Sequence, residues 1–485
     1  MSVSLRGLAE DVGHGRRSAV EVAGEALERI DLLDPTLGAF LEVSGEQALR
    51  EAEIVDARVA QGQKLPLAGV PLAIKDNIWV AGRRTSCASR ILEGFRPPSD
   101  ATAIARLREA GAVFVGKTNL DEFAMGSSTE NSAFRLTRNP WDTDRIPGGS
   151  SGGSASAVAA GLVPGALGSD TGGSIRQPAA CCGVVGFKPS YGRVSRFGLV
   201  AFGSSLDQIG PLARSVSDAA RLYAVMAGVD PLDSTTVGEP VGNPEASLER
   251  GIEGMRVGFL EEAEAEGLDA RVAENLAACR RAFERAGAQV TTASVPRATA
   301  AIAIYYVVAS AEASSNLARY DGVRYGPRGS DADLASLYVE TRTKGFGPEV
   351  KRRILLGTFA LSSGYYEAYY GRAMRARFLL AEDFDRAFAG VDLIVCPSIP
   401  SPAFRLGEKL EDPLQMYLSD VFTVPASLAG LPAISVPSGY SPEGLPLGLQ
   451  ILAPRFREDR LFAGARAFER EIEVPDETPR GVRSR

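Results

Sequence analysis

Residues 148–178 read GGSSGGSASAVAAGLVPGALGSDTGGSIRQP, two glycine and serine clusters separated by a short segment of small residues. Gly/Ser-rich chain on its own behaves as a flexible linker, but here it alternates with compact elements. Ser154 to Ala160 is short and Ala-rich, Gly161 stands where a helix ends on a glycine, and Leu162 to Leu167 reads as a buried apolar strand. A phosphate cradle is a second reading, since glycines leading into a helix expose backbone N–H groups. The Lys-Ser/Thr pair that closes a phosphate loop is missing from it. Close packing of small residues without chemistry is a third. The fourth is an acyl-transfer site: Asp170-Thr171-Gly172-Gly173-Ser174 sets a hydroxyl directly after two residues without a Cβ, so backbone N–H groups can reach a reacting carbonyl oxygen and stabilise its growing charge. The fourth reading fits this stretch best.

A serine nucleophile needs a base. His14 is the only histidine, lies in VGHGRR near the N-terminus and reads as a surface residue, which argues against a Ser-His-Asp triad and against a metal site built on several imidazoles. Lysine can serve if burial lowers its pKa enough to leave it neutral. The lysines are few: Lys64, Lys75, Lys117, Lys188, Lys344, Lys351 and Lys409. Lys75 follows the apolar run Val70-Pro71-Leu72-Ala73-Ile74 and precedes Asp76-Asn77, so its amine is expected at the end of a buried central strand, where α/β sheets place their sites.

Lys75 in AIKDN, Ser150 in PGGSSGGS and Ser174 in DTGGSIRQP, with the two serines 24 residues apart, resemble the amidase signature family. The resemblance implies a Ser-cisSer-Lys triad, with Ser174 as nucleophile, Ser150 as the bridging serine after a cis peptide from Gly149, and Lys75 as base. It also implies an oxyanion hole from Thr171, Gly172, Gly173 and Ser174, and supporting roles for Ser154, Asp170 and Arg176, which also read well as turn and cap residues. Met125-Gly126-Ser127-Ser128 is similar to the family loop over the acyl pocket and puts Ser128 among the expected substrate contacts. The passages 188–198 and 204–211 narrow the resemblance to one branch of the family, the A subunits of glutamyl-tRNA(Gln) amidotransferases.

A chain of 485 residues with 45% hydrophobic content can bury a large core, and a net charge of −7 argues against this chain alone gripping nucleic acid. Cys87, Cys181, Cys182, Cys279 and Cys396 form neither metal spacing nor a disulfide framework, as expected of reduced cytosolic thiols. The N-terminus lacks the apolar core of a signal peptide, and no apolar run approaches the roughly 18 residues of a spanning helix. A soluble cytoplasmic protein is expected.

Along the chain, Ser18 and Glu21 read as a capping box that starts a helix ended by Asp34-Pro35. Leu37 to Val43 reads as a strand and Gly45 to Ala60 as a helix. Asp100 to Ala110 is a further helix and Ala112 to Val115 a further strand. Gly111-AVFV-Gly116-Lys117-Thr118 satisfies the Walker A pattern, but its order is helix then strand and its middle residues are strand formers, so the pattern is rejected and Lys117 is expected to support the neighbouring turn. Residues 230–250 are the most linker-like, and the family implies a loop within one domain. Arg256 to Leu260 reads as a strand, Ala270 to Gly287 as a helix burying Val272, Leu276, Cys279 and Phe283, residues from Gly444 as a last strand, and Arg457 to Glu471 as a helix; 474–485 reads as a loose polar tail. The expected fold is α/β: a single amidase-signature domain over 1–485 with a mixed central β-sheet between layers of α-helices, a signature core at about 65–215 and a specificity half at about 250–470.

A pocket that selects free glutamine needs a fixed cation and a fixed anion. The resemblance assigns Arg353 to the α-carboxylate, one register from Arg352, and Asp420 to the α-ammonium, with Tyr305 and Tyr306 beside them. It implies a glutaminase that cleaves the side-chain amide through a glutamyl-Ser174 ester and supplies ammonia for converting Glu-tRNA(Gln) to Gln-tRNA(Gln). No cofactor is expected on this chain; ATP and Mg²⁺ are expected on a partner B subunit, with a small C subunit completing a heterotrimer. A stand-alone amidase acting on other amides is the alternative within the family, and a P-loop nucleotide-binding protein, resting only on Gly111 to Thr118, is the alternative outside it.

Overall fold

The computed structural model describes residues 4–263, 267–329, 333–474 and 479–482. Its eleven strands are β1 (Phe40–Val43), β2 (Pro71–Lys75), β3 (Val113–Thr118), β4 (Gly165–Asp170), β5 (Val185–Lys188), β6 (Gln208–Ala213), β7 (Arg256–Leu260), β8 (Gln289–Ala293), β9 (Leu393–Pro397), β10 (Ala433–Tyr440) and β11 (Pro446–Leu452). They form one mixed sheet in the order β1-β3-β2-β4-β6-β5-β10-β11-β9-β7-β8. β2 lies between β3 and β4 and is parallel to both, with Lys75 opposite Thr118 and Ile74 opposite Leu167. Strands covered on both faces read as continuous apolar runs, and every residue of β2 is buried. This places Lys75 at the C-terminal end of an interior strand.

The helix Gly152–Ala159 is buried along its whole length and packs against β4. Small residues permit the approach: a Cβ on Gly168 of β4 would stand 2.8 Å from the Ser151 hydroxyl and 2.9 Å from both Ile175 and Leu212. The expected strand at Leu162–Leu167 starts three residues later, because Leu162 to Pro164 form the turn out of this helix and the ladder with β6 begins at Gly165. The small run GALGSD is therefore the strand, which brings Ser169 and Asp170 to its C-terminal end.

Three further elements differ from expectation. A helix at Leu5–Gly13 precedes the one expected first; Ser4 caps it, and His14 is exposed at its end with Nδ1 2.6 Å from the Glu10 carbonyl oxygen. The helix Ala19–Leu37, opened by the Ser18–Glu21 capping box, runs past Pro35 to a left-handed Gly38. A proline in the last turn removes one helical hydrogen bond, and Asp34 offsets the loss by accepting the Ala39 N–H at 2.6 Å. β1 is correspondingly shorter than expected. The linker-like 230–250 stretch is tied to the body: Asp230 accepts the Ser195 and Thr102 hydroxyls, each at 2.5 Å, and Asp233 accepts the Arg196 N–H at 2.8 Å. The tail reading over 474–485 falls for the most part outside the described residues.

No described helix is long and apolar enough to cross a membrane. Among the described residues no group of three or more His, Cys, Asp or Glu is placed to hold a metal ion. Lys117 is buried inside β3, where it pairs with buried Asp76 at 3.2 Å and donates to the carbonyls of Ile78 and Arg84, both at 2.9 Å. It is a structural cation under the turn after β2.

Candidate active site

Three lysines are buried: Lys75, Lys117 and Lys188. Burial lowers Lys75 and Lys188 alike, each to about 7, so geometry separates them. Lys188 donates to the carbonyls of Pro189 and Leu431. Lys75 Nζ instead lies among hydroxyls, 2.7 Å from Ser150 Oγ, 2.8 Å from Ser151 Oγ and 2.9 Å from Ser169 Oγ. Desolvation drives the Lys75 shift, and the carboxylates of Asp121, Asp170 and Asp207 hold it back. An amine near neutrality beside a serine hydroxyl can take that hydroxyl's proton at physiological pH.

The peptide bond between Gly149 and Ser150 is cis. Ser151 donates its N–H to the Ser174 carbonyl at 3.1 Å, joining the two serine clusters backbone to backbone. The Ser174 side chain has no hydrogen-bond partner among the described residues and stands at the surface of the site, 7% exposed. The side-chain network thus runs from Lys75 to Ser150 and stops short of the Ser174 hydroxyl.

From Thr171 to Ser174, four consecutive backbone N–H groups donate to no acceptor among the described residues. Gly173 has φ +155°, and a Cβ there would lie 2.1 Å from Thr423 Oγ1; a Cβ on Gly172 would lie 2.8 Å from the Tyr305 ring. Tyr305 and Thr423 therefore close directly over the two glycines. Asp170 and Arg176, both fully buried, pair through two bonds of 2.9 and 3.0 Å. Burial raises Asp170, but the Arg176 guanidinium more than offsets it and holds the carboxyl below the usual range. Arg176 also donates to the Thr423 carbonyl at 2.8 Å and to Gln450 and Ser427, which locks 423–427 over the loop. Ser154 sits farther back, between Thr118 Oγ1 at 2.7 Å and the Leu167 carbonyl at 2.9 Å, and fixes its helix to the sheet.

Arg353 is buried, while the Arg352 side chain is 45% exposed and paired with Glu349, so the helix Pro348–Leu361 turns Arg353 inward. Glu349 takes Arg353 Nε at 2.7 Å and the Tyr417 hydroxyl at 2.9 Å. Tyr306 and Tyr417 stack with centroids 3.8 Å apart and lie 4.6 and 5.1 Å from the guanidinium carbon. Nε is thus occupied while the two terminal nitrogens make no hydrogen bond among the described residues, and such a fork suits a carboxylate. Asp420 is buried and raised to about 7 by desolvation, with Ser127 Oγ 2.5 Å from its Oδ2.

Ser128 is also buried, but its N–H points to Asp121 at 3.3 Å; the hydroxyl that meets Asp420 is that of its neighbour Ser127. Sequence reasoning passes over Ser151, Ser169, Ser127, Gln177 and Asp121. Gln177 accepts the Gly149 N–H at 2.8 Å and donates to the Ser127 carbonyl at 3.0 Å, bridging the cis bond to the Asp420 loop. Each of these stands beside a motif residue already singled out or within the same short polar stretch, and strand alternation at β4 is the signal that turns Ser169 toward Lys75.

The amidase family model matches residues 21–462. The chain belongs to the amidase family. It is 53% identical over 478 residues to the A subunit of the glutamyl-tRNA(Gln) amidotransferase of Cyanothece sp., covering 98% of this chain and 99% of that one. The crystal structure of the corresponding A subunit from Thermotoga maritima superposes with a TM-score of 0.81 at 45% identity, over 96% of this chain and 95% of that one. The peptide amidase of Stenotrophomonas maltophilia gives 0.83 at 33% identity, over 98% of both. The backbone is common to amidases of different substrate, and the higher sequence identity lies with the amidotransferase subunits.

Proposed function

We propose that this chain is the glutaminase A subunit of a tRNA-dependent amidotransferase. The observation that carries the reading is the Lys75–Ser150 contact at 2.7 Å together with a buried Arg353 and a buried Asp420, the latter tied through Ser127 and Gln177 to the Gly149–Ser150 bond. Full-length identity of 53% to amidotransferase A subunits supports it.

In this mechanism Arg353 forks the glutamine α-carboxylate and Asp420 receives the α-ammonium, with Tyr305, Tyr306 and Ser128 shaping the pocket. Neutral Lys75 takes the Ser150 proton while Ser150 takes that of Ser174, and Ser174 Oγ attacks the side-chain amide carbon. The N–H groups of Thr171, Gly172, Gly173 and Ser174 receive the negative charge that develops on the carbonyl oxygen. The C–N bond breaks as Lys75 returns its proton through Ser150 to the departing nitrogen. Ammonia leaves, and water then cleaves the glutamyl-Ser174 ester to glutamate. Asp170 and Arg176 hold the loop, and Ser154 holds the helix behind Ser150.

The ammonia passes to a B subunit that activates Glu-tRNA(Gln) with ATP and Mg²⁺, with a C subunit completing the complex in the cytoplasm. The test is ammonia release from glutamine by the purified chain, alone and with the B and C subunits, ATP and Glu-tRNA(Gln), in wild type and Ser174→Ala. Release that rises with the partners and vanishes in the variant supports the proposal. Vigorous partner-independent hydrolysis of many amides would make the chain a stand-alone amidase.

A further inference from the structure

Asp207 is a buried carboxylate that the mechanism above does not use. It lies one residue before β6, 3% exposed, and forms no ion pair among the described residues. Its Oδ1 accepts the Thr171 hydroxyl at 2.7 Å and the Gly203 N–H at 3.1 Å, and its Oδ2 accepts the Phe202 N–H at 2.9 Å. Burying a carboxylate is costly unless hydrogen bonds satisfy it, and here the three donors come from two different walls of the site. Thr171 opens the run of free N–H groups before Ser174. Phe202 places its ring 5.9 Å from the Arg353 guanidinium carbon. The 202–206 loop is held from its other side as well: Ser205 donates its N–H and hydroxyl to Glu312 at 2.9 and 2.6 Å, and Arg377 donates to the Ser205 hydroxyl at 2.6 Å and carbonyl at 2.9 Å.

We propose that Asp207 is a positioning residue that locks the oxyanion loop and the Phe202 wall of the glutamine-carboxylate site into one register. The proposal rests on reading Thr171–Ser174 as the oxyanion loop and Arg353 as the carboxylate's partner. Both oxygens are needed as acceptors. An asparagine of the same shape offers one acceptor, so its NH₂ group meets either the Phe202 N–H, or the Gly203 N–H and a Thr171 hydroxyl that must turn from donor to acceptor. The distance between the amide end and the carboxylate end of glutamine is fixed, and a wall that drifts by about 1 Å can lower turnover about a hundredfold.

The test uses the assembled complex and compares Thr171→Val, Thr171→Ser, Asp207→Asn and the double variant Asp207→Asn/Thr171→Val, with melting temperatures taken alongside. Thr171→Val is expected to lower kcat about ten- to a hundredfold with little change in the glutamine KM, and Thr171→Ser, which keeps the hydroxyl, to restore it. Asp207→Asn is expected to lower kcat at least as much and also to raise the KM for glutamine, with the KM for a simple aliphatic amide unchanged. The double variant should be little worse than Asp207→Asn, because both changes break one link. Unchanged kcat in Thr171→Val, or losses that multiply in the double variant, would overturn the proposal; Thr171→Val nearly preserves volume and keeps it falsifiable if Asp207→Asn does not fold. Ser174→Ala run in parallel separates the two levels: turnover surviving there sinks the acyl-serine reading itself, whereas an inactive Ser174→Ala with multiplying losses sinks only the role of Asp207.

Discussion

The pH dependence of glutamine cleavage should differ in steepness from that of a simple amide. In the proposed mechanism two buried groups must be deprotonated for glutamine: Lys75, lowered to about 7 by burial, and Asp420, raised to about 7 by burial. Lys75 acts as base only when neutral, and Asp420 attracts an ammonium only when ionised, so both favour higher pH. For a group with a pKa of about 7 the deprotonated fraction climbs from about 9% at pH 6 to about 91% at pH 8. An amide without an α-ammonium depends on Lys75 alone, and its kcat/KM should rise about tenfold over that window. Glutamine depends on both, and its kcat/KM should rise about a hundredfold. Other buried carboxylates, Asp121 and Asp207, each raised to about 6 by burial, act on both substrates and cancel in the ratio of the two profiles. The assay is ammonia release at subsaturating glutamine and butyramide from pH 6 to 8.5, with Asp420→Asn as control, which should make the glutamine profile as shallow as that of butyramide. Parallel profiles in the wild type would refute the assignment of Asp420, and a flat butyramide profile would refute that of Lys75.

Arg353→Lys keeps the charge but loses the fork, and should raise the glutamine KM by about tenfold or more, since hydrogen bonds to charged groups contribute about 1.5–3 kcal/mol; Arg352→Ala should stay within about twofold in the same assay, its side chain being exposed. Gly173→Ala would drive a methyl into Thr423 Oγ1 at 2.1 Å at a φ of +155°, and kcat should fall about a hundredfold or more while circular dichroism stays native. Lys117→Ala leaves Asp76 buried without its cation and should cost about 3–5 kcal/mol of stability, read as a lowered denaturation midpoint.

Lys75 is legible in the sequence because one physical rule governs it: a charged residue closing an apolar strand is either buried or at a strand end, and the structure makes it both. The glycines before Ser174 are legible for the same kind of reason, since two residues without Cβ imply something close above them, and Tyr305 and Thr423 are what lie there. The start of β4 is not, because Leu162 and Val163 carry the apolar run ahead of the ladder, which is built on Gly165 to Asp170 and its close fit to the neighbouring helix. Periodicity does not report where a small-residue strand begins.

The proposed glutamine pocket rests on family resemblance alone. Ser127 and Asp420 meet across 293 residues of sequence, and Arg176 reaches the Thr423 carbonyl across 247. No local pattern encodes such meetings; they follow from the order of strands in the sheet, which returns β10 and β11 beside β5 and β9. Asp207 belongs to the same class, a carboxylate whose partners at 171 and 202 become neighbours only after folding.

The central claim is that Ser174 carries the acyl group, activated from Lys75 through Ser150. Its most direct measurement is rapid acid quenching of the complex during turnover with glutamine, followed by peptide mass analysis. The account predicts a glutamyl ester on Ser174 in the wild type and none in Lys75→Ala or Ser174→Ala. A glutamyl adduct on another residue, or steady turnover in Ser174→Ala, would contradict it.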